Sequence, residues 1–406
     1  MEVRFPLILD GSTGTQLQKR GFDSSISAEE WVLQHPEVIH EVQGKYVAAG
    51  SRVVYAPTFG ANRTKLESHG LFGVVAEYNQ KLAAVSREAV QGKAWVAGDL
   101  APTGKFLYPL GDTTFEELVE VYTEQAQALE NAGVDLFVIE TQMTLPEARA
   151  AVLAVKSVSK KPVFVTFTCD ENGKTLTGTD VTAALVVMQG MGVDAFGLNC
   201  SAGPDQMVKQ LKRLKEYAHI PLIAKPNAGI PKMVDGKTVY DCSPEEFTAY
   251  VGEMAECGVC IFGGCCGTDV AHMEALSEAT AGLKCEVATP AQTDKLPCAT
   301  EKAVFLLDVS AGYSAVLPCD DELEDALAEE EEDAEGEMTA IRITCAEELD
   351  IFSDCQGMIA KPLCILCEDA ELLEEALRRY QGRAVYEGGL SDEELLPLVK
   401  KYGLIL

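Results

Sequence analysis

Two segments, Gly197-Leu198-Asn199-Cys200 and Gly263-Gly264-Cys265-Cys266-Gly267-Thr268, combine residue types and spacing that point to chemistry. Zinc takes deprotonated cysteine sulfur at about 2.3 Å, and a structural site closes four protein ligands around the ion. Three cysteines leave one coordination position for a substrate. Neighbouring cysteines both reach one ion only where the backbone turns sharply, and Gly263, Gly264 and Gly267 supply that freedom. Three thiolates on Zn²⁺ make an anionic site, a poor Lewis acid toward water but a good host for a soft thiolate. A thiol bound there loses its proton near neutral pH, and the electron-rich ligand set keeps it nucleophilic. That is chemistry for alkylating sulfur. Spacing alone leaves two other readings open, packing residues or a redox pair. Of the 14 cysteines, Cys169, Cys242, Cys257, Cys260, Cys285 and Cys298 read as inert, Cys260 as a buried mid-strand residue.

Those cysteines need a scaffold that brings distant segments together. Short apolar runs rich in β-branched residues alternate with longer amphipathic ones. The strand-like runs are Leu7–Asp10, Arg52–Phe59, Ala94–Asp99, Leu136–Glu140, Pro162–Thr168, Ala195–Cys200, Leu222–Asn227 and Val259–Cys265. Helices are expected over Phe115–Ala132, Leu145–Val158, Val181–Met191, Pro244–Cys257 and Val270–Ala281, with Thr144 and Ser243 as N-caps. Eight such pairs allow an open doubly wound sheet or a closed (β/α)8 TIM barrel. The barrel is favoured, because Asp10, Thr58, Asp99, Glu140, Thr168, Cys200, Asn227 and Cys265 all fall at the C-terminal ends of their runs. A barrel gathers those ends on one face, where active sites are built, whereas an open sheet spreads them along a line. The turn after the first run, Asp10-Gly11-Ser12-Thr13-Gly14, lacks the third glycine of a dinucleotide fingerprint.

The 406 residues divide into a barrel over 1–288, a linker over 289–300 and a small α/β module over 301–406. Within the module, residues 320–337 hold twelve acidic side chains and no Lys or Arg, the composition of a solvated, mobile segment. Strands are expected over Ala340–Thr344, Ile359–Leu366 and Arg383–Tyr386, and helices over Ala370–Tyr380 and Asp392–Tyr402. The formal charge of −31 opposes nucleic-acid binding and docking to anionic membrane. The apolar start, Phe5–Leu9, is too short for an export signal, and no run approaches a bilayer span, so a cytoplasmic protein is expected.

Together Asp10-Gly-Ser-Thr-Gly-Thr15, Thr58-Phe-Gly-Ala-Asn62, Gly178-Thr-Asp180, Gly197-Leu-Asn-Cys200, Lys225-Pro-Asn-Ala-Gly229 and Gly263-Gly-Cys-Cys-Gly-Thr268 resemble the homocysteine S-methyltransferase family. Within it, the pattern is most like the homocysteine-binding barrel of cobalamin-dependent methionine synthases, over roughly residues 1–285. The resemblance implies a (β/α)8 barrel with Zn²⁺ held by Cys200, Cys265 and Cys266, and homocysteine as substrate. It also makes Glu140 the candidate for the homocysteine ammonium, with a helix-capping role as the competing reading. Asp10 and Thr58 are further candidates for that pocket. Asn199 is another, or it fixes its own loop. Asn227 is a candidate fourth metal ligand when substrate is absent.

The donor is a separate question. Methionine synthases imply methylcobalamin, yet none of His35, His40, His69, His219 and His272 lies in an Asp-x-His-x-x-Gly motif. A corrinoid donor must then be carried by a separate protein. Pro362–Leu404 resembles a β-α-β-α stretch of the folate-binding barrel of those enzymes, without its pterin-holding strand ends. S-methylmethionine or betaine as donor is the alternative, and needs aromatic cover that Tyr55, Phe59 and Phe106 supply only sparsely. A non-enzymatic zinc or thiol sensor is the alternative of another class.

Overall fold

Apolar runs at regular spacing collapse into eight short parallel strands in the computed structural model, which describes residues 4–108, 110–234, 237–290, 294–332 and 336–406. The strands are β1 (Leu7–Ile8), β2 (Val53–Tyr55), β3 (Trp95–Leu100), β4 (Leu136–Gln142), β5 (Val163–Phe167), β6 (Ala195–Asn199), β7 (Leu222–Lys225) and β8 (Val259–Phe262). They pair in the order β1-β8-β7-β6-β5-β4-β3-β2, all parallel. The two ends of that order meet where Arg52 N–H donates to Ile8 O at 2.7 Å and Ser51 Oγ donates to Leu9 O at 2.9 Å. The result is a (β/α)8 TIM barrel, as expected.

Alternate side chains fill its interior: Leu7, Val53, Ala97, Val138, Phe164, Ala195, Ile223 and Ile261 form one buried cluster. Each of its Leu, Val, Ile and Phe side chains contributes about 1.5–3 kcal/mol on leaving water. Every expected strand is present, but the ladders end earlier than most of the apolar runs. At β2 the reason is visible, since Asp10 Oδ2 takes the Tyr55 N–H at 2.8 Å. Thr114 and Glu117 form a capping box at the start of Phe115–Asn131, and Thr144 caps Leu145–Val158. The expected helix over Pro244–Cys257 is instead two, Pro244–Thr248 and Val251–Glu256. Thr248 Oγ1 donates back to Pro244 O at 3.0 Å, a bond that bends helices.

By its internal contacts the chain falls into two units, Met1–Thr175 with Asp194–Thr289, and Leu176–Val193 with Pro290–Leu406. The barrel helix between β5 and β6, Val181–Gly190, therefore belongs with the C-terminal unit, not with a barrel contiguous over 1–288. There Lys302 O accepts from Asp180 N–H at 3.1 Å, and Lys302 Nζ donates to Thr177 O at 2.9 Å.

The rest of that unit is half a barrel. Strands β11 (Val316–Pro318), β12 (Thr339–Arg342), β13 (Leu363–Leu366) and β14 (Val385–Glu387) are parallel and sequential. Helices Leu323–Glu332, Glu348–Cys355, Ala370–Arg379 and Asp392–Tyr402 follow them in turn. An antiparallel hairpin, β9 (Leu296–Ala299) with β10 (Val304–Leu307), packs Cys298 and Leu307 against Ala340 and Cys364 of that sheet. The hairpin begins inside the expected linker 289–300, of which residues 291–293 lie outside the described residues.

Residues 320–337 also differ from expectation. Leu323–Glu332 is helical because Leu323 and Leu327, one turn apart, are buried, while Glu330 accepts from Thr339 Oγ1 at 2.5 Å and pairs with Lys361 at 3.7 Å. Residues 333–335 of the run lie outside the described residues. No helix among the described residues is long and apolar enough to cross a membrane.

Candidate functional site

Cys200 follows β6 directly and takes a left-handed conformation, φ 54°, which a non-glycine residue adopts only when its surroundings impose it. Cys265 and Cys266 follow β8. The three sulfurs all lie within 4.8 Å of one another, with Cys200 Sγ 3.5 Å from Cys266 Sγ. Sulfurs each about 2.3 Å from one tetrahedral zinc are roughly 3.8 Å apart, so the cluster has the size the ion needs.

The loop after β1 locks the dicysteine turn in place. Ser12 Oγ and Gln16 Nε2 donate to Thr268 O, at 3.2 and 3.1 Å. Thr268 Oγ1 accepts from Ser12 N–H at 3.1 Å and donates to Cys265 O at 2.7 Å, and Gly267 N–H donates to Thr15 Oγ1 at 3.2 Å. Two glycines make the turn sterically feasible. A Cβ on Gly264 would lie 2.5 Å from Thr268 Oγ1, and one on Gly267, at φ 85°, would lie 2.3 Å from Tyr240 Cγ. Gly267→Ala is therefore expected to destabilise the barrel by about 1–3 kcal/mol through backbone strain alone, and to lower zinc affinity. Urea unfolding and metal titration check both.

Hydrogen bonds from Cys200 and Cys265 hold the Cys266 thiol down at about 3, as the thiolate of the cluster. Reciprocally, Cys265 is pushed well above the usual thiol range by Cys200, Cys266 and burial. Cys200 is pulled down by Cys265 but pushed further up by Cys266, burial and Glu140, to about 12. Without a metal, then, one negative charge is shared by three sulfurs, and a divalent cation binding there would displace the two remaining protons.

Beside the sulfurs sits a buried charge cluster that links four strand ends. Lys225, 3% exposed at the end of β7, places Nζ 3.2 Å from Asp10 Oδ1, 3.9 Å from Glu140 Oε2 and 3.5 Å from the Tyr55 ring centroid. Burial works against its charge, but Tyr55, Asp10 and Glu140 more than offset this and keep the ammonium protonated. Burial raises all three neighbouring carboxyl groups. Glu140 reaches about 7, Asp10 rises despite Lys225, and Asp99 rises furthest, with Glu140 adding to its burial. Asp99 Oδ1 and the Tyr55 hydroxyl are buried without a hydrogen-bond partner among the described residues.

A cavity of about 280 Å³ opens between the sulfurs and this cluster. Asp10, Glu140, Cys200, Cys265 and Cys266 line it, as the sequence led one to expect. Three other candidates do not. Thr58 is fully buried, its Oγ1 donating to Asp99 O at 2.8 Å and accepting from Asp99 N–H at 3.2 Å, so it ties β2 to β3 instead of facing a substrate. Asn199 accepts from Thr141 N–H at 3.0 Å and donates to Thr141 Oγ1 at 2.7 Å, fixing the β4 end, where Thr141 is also left-handed at φ 58°. Asn227 donates to Cys200 O at 3.3 Å and leaves its own Oδ1 buried without a partner among the described residues.

Lys225 and Glu29, to which the sequence assigned no role, also line the cavity, as do Asp99 and Tyr55, expected only as a strand-end residue and as sparse aromatic cover. Lys225 carried a signal: a lone cation near the end of an apolar run, in a barrel where three other strand ends, at Asp10, Asp99 and Glu140, supply carboxylates.

Residues 7–280 match the sequence model of the family described as homocysteine S-methyltransferase. Among curated proteins, methionine synthase of Mycobacterium tuberculosis (strain ATCC 25618 / H37Rv) is 32% identical over 296 residues, 68% of this chain and 25% of that protein. Methionine synthase of Mycobacterium leprae (strain TN) is 30% identical over 332 residues, 76% of this chain and 26% of that protein. The chain thus spans about a quarter of the length of these relatives. The homocysteine methyltransferase MmuM from Escherichia coli, in its metallated form, has the same barrel fold, with a TM-score of 0.57 at 23% identity over 67% of this chain and 95% of that one. With the family's sequence pattern running through all eight strands and both cysteine turns, this chain belongs to the homocysteine S-methyltransferase family.

Proposed function

We propose that the barrel moves a methyl group to the thiol of homocysteine, giving methionine, with Zn²⁺ held by Cys200, Cys265 and Cys266. The observation that carries this reading is the convergence of three cysteine sulfurs, within 4.8 Å of one another, on the wall of a cavity that also presents Glu140. When bound, a thiolate-ligated zinc lowers the pKa of an incoming thiol and keeps its sulfur nucleophilic. Asn227, whose Oδ1 lacks a partner among the described residues, is the candidate fourth ligand before substrate arrives.

The chain's own residues orient the amino acid. Glu140, buried at the end of β4, pairs with the homocysteine ammonium, and Asp10 shapes the same wall through its bond to Lys225. Lys225 neutralises part of the carboxylate charge, so that the empty pocket tolerates three acidic groups. Glu140→Gln is expected to raise the homocysteine KM by roughly 10- to 100-fold with a smaller change in kcat. Because Glu140 titrates at about 7 and binds the ammonium only when ionised, affinity should rise as pH rises through that value. The Gln variant should lose that part of the pH profile, and an unchanged KM would remove Glu140 from the pocket.

The donor we propose is a methylated corrinoid carried on a separate protein and presented at the mouth of the barrel. A sulfonium or trimethylammonium donor would need an open aromatic face, and the Tyr55 ring is already covered by Lys225 Nζ. Phe59, 43% exposed, is left at the cavity rim. Incubating the protein and homocysteine separately with methylcobalamin, S-methylmethionine and betaine, and assaying methionine, tests the reading. Methionine from methylcobalamin supports it, methionine only from another donor replaces the corrinoid, and methionine from none overturns the proposed activity.

A further inference from the structure

The half-barrel of the C-terminal unit has a cavity of its own, about 420 Å³, at the carboxyl ends of β12, β13 and β14. In α/β sheets this is the edge where ligands bind, because successive strand ends and loops converge there. Charges of both signs line it without pairing. The Arg342 backbone, at the end of β12, accepts from Cys319 N–H at 3.2 Å, but its guanidinium makes no ion pair or hydrogen bond among the described residues. Opposite stand Glu368 after β13 and Glu387 at the end of β14, with Asp369 beside them, its Oδ1 accepting from Leu372 N–H at 2.9 Å. Each carboxylate is pinned by one oxygen only: Gly389 N–H donates to Glu368 Oε2 at 3.1 Å, and Tyr313 OH donates to Glu387 Oε1 at 3.1 Å. The other oxygen of each is left for a ligand. Beneath them lie Ile343, Leu366 and Leu372.

This pattern excludes the simpler ligands. An anion would face three carboxylates, and a plain cation would face Arg342. The carboxylates do not close on a metal ion, since among the described residues only Cys200, Cys265 and Cys266 bring three such ligand atoms together. We propose that this cavity binds a free α-amino acid with an apolar side chain, its carboxylate on Arg342, its ammonium on Glu368 and Glu387, and its side chain on Ile343, Leu366 and Leu372. A zwitterion completes both halves of the charge pattern at once, each through charge-assisted hydrogen bonds.

The test is calorimetric titration of the full-length protein with L-leucine, which carries no sulfur for the thiolate cluster, and then with L-methionine and the other standard amino acids. Saturable binding of an apolar amino acid is expected. It should weaken at least about tenfold in Arg342→Ala and in Glu387→Gln, and stay unchanged in Cys266→Ala. Leucinol, which lacks the carboxylate, should bind as poorly to the wild type as leucine does to Arg342→Ala. Equal binding by wild type and both cavity variants would overturn the proposal, as would the absence of saturable binding by every amino acid up to about 10 mM. The outcome is independent of the barrel's reaction, because the deciding losses are read on Arg342→Ala and Glu387→Gln, outside the barrel, and with leucine, which that reaction does not use.

Discussion

Replacing any one of Cys200, Cys265 or Cys266 with Ala is expected to empty the metal site and lower methyl transfer by at least ~10³-fold, since most of the benefit of holding the thiol in place is lost. Two thiolates and a cavity wall do not make a closed zinc site, and the remaining sulfurs are close enough to hydrogen-bond each other instead. The fold should survive. The barrel interior is built from Leu7, Val53, Val138, Ile223 and their neighbours, and none of the three cysteines belongs to it. Backbone bonds such as Cys265 N–H to Pro226 O, at 2.9 Å, do not depend on the side chain. Metal content, far-ultraviolet circular dichroism and turnover together check this. Retained turnover in any of the three would remove that residue from the ligand set.

Lys225→Met should have the largest effect on stability. Lys225 and Asp10 are both buried, and Lys225 is the cation that faces Asp10 and Glu140. Breaking a buried pair by removing one partner costs about 3–5 kcal/mol, because the other charge stays behind unsolvated. The loss should depend on pH in a definite direction. With Glu140 at about 7 in the folded protein and 4.5 when exposed, the folded state binds more protons than the unfolded state between those values. Stability from this group is complete below 4.5 and is lost as pH rises toward 7. Without Lys225, Asp10 and Glu140 both lose the charge that pulls them down, so the variant should be penalised more at about pH 8 than at about pH 5. Urea unfolding at both pH values measures this, and an equal loss at both would contradict the electrostatic account.

Much of the barrel was legible because its strands are apolar runs with a polar residue at one end, a pattern set by burial on both faces. All eight runs contain a strand. The cysteine cluster was legible for the same reason, since its residues sit at strand ends of an unusual chemistry. The charge cluster was not. Lys225 and Asp10 are 215 residues apart, and only the closed ring places them 3.2 Å from each other. Thr58 sits at a strand end like the others, but at this end the side chain turns onto β3, a matter of side-chain direction that strand-end position does not encode.

The C-terminal unit was the least legible part. Helix Val181–Gly190 carries the sign of its placement: nearly every residue from Val181 to Gln189 is buried, and the segment is apolar on all sides, unlike a barrel helix with one wet face. In the acidic run, charge hid the two leucines that make it a helix. With that helix unread, the first β/α pair of the half-barrel went unrecognised, and four units looked like fewer.

The central claim is that this site takes a thiol and strips its proton. Calorimetric titration of homocysteine into the zinc-loaded protein, in two buffers of different ionisation enthalpy at about pH 8, above the value of about 7 at which Glu140 itself titrates, counts the protons released by the thiol. The account predicts about one proton per homocysteine bound, and none in the Cys266→Ala variant. Homocysteine binding without proton release, by a protein that holds its zinc, would contradict it.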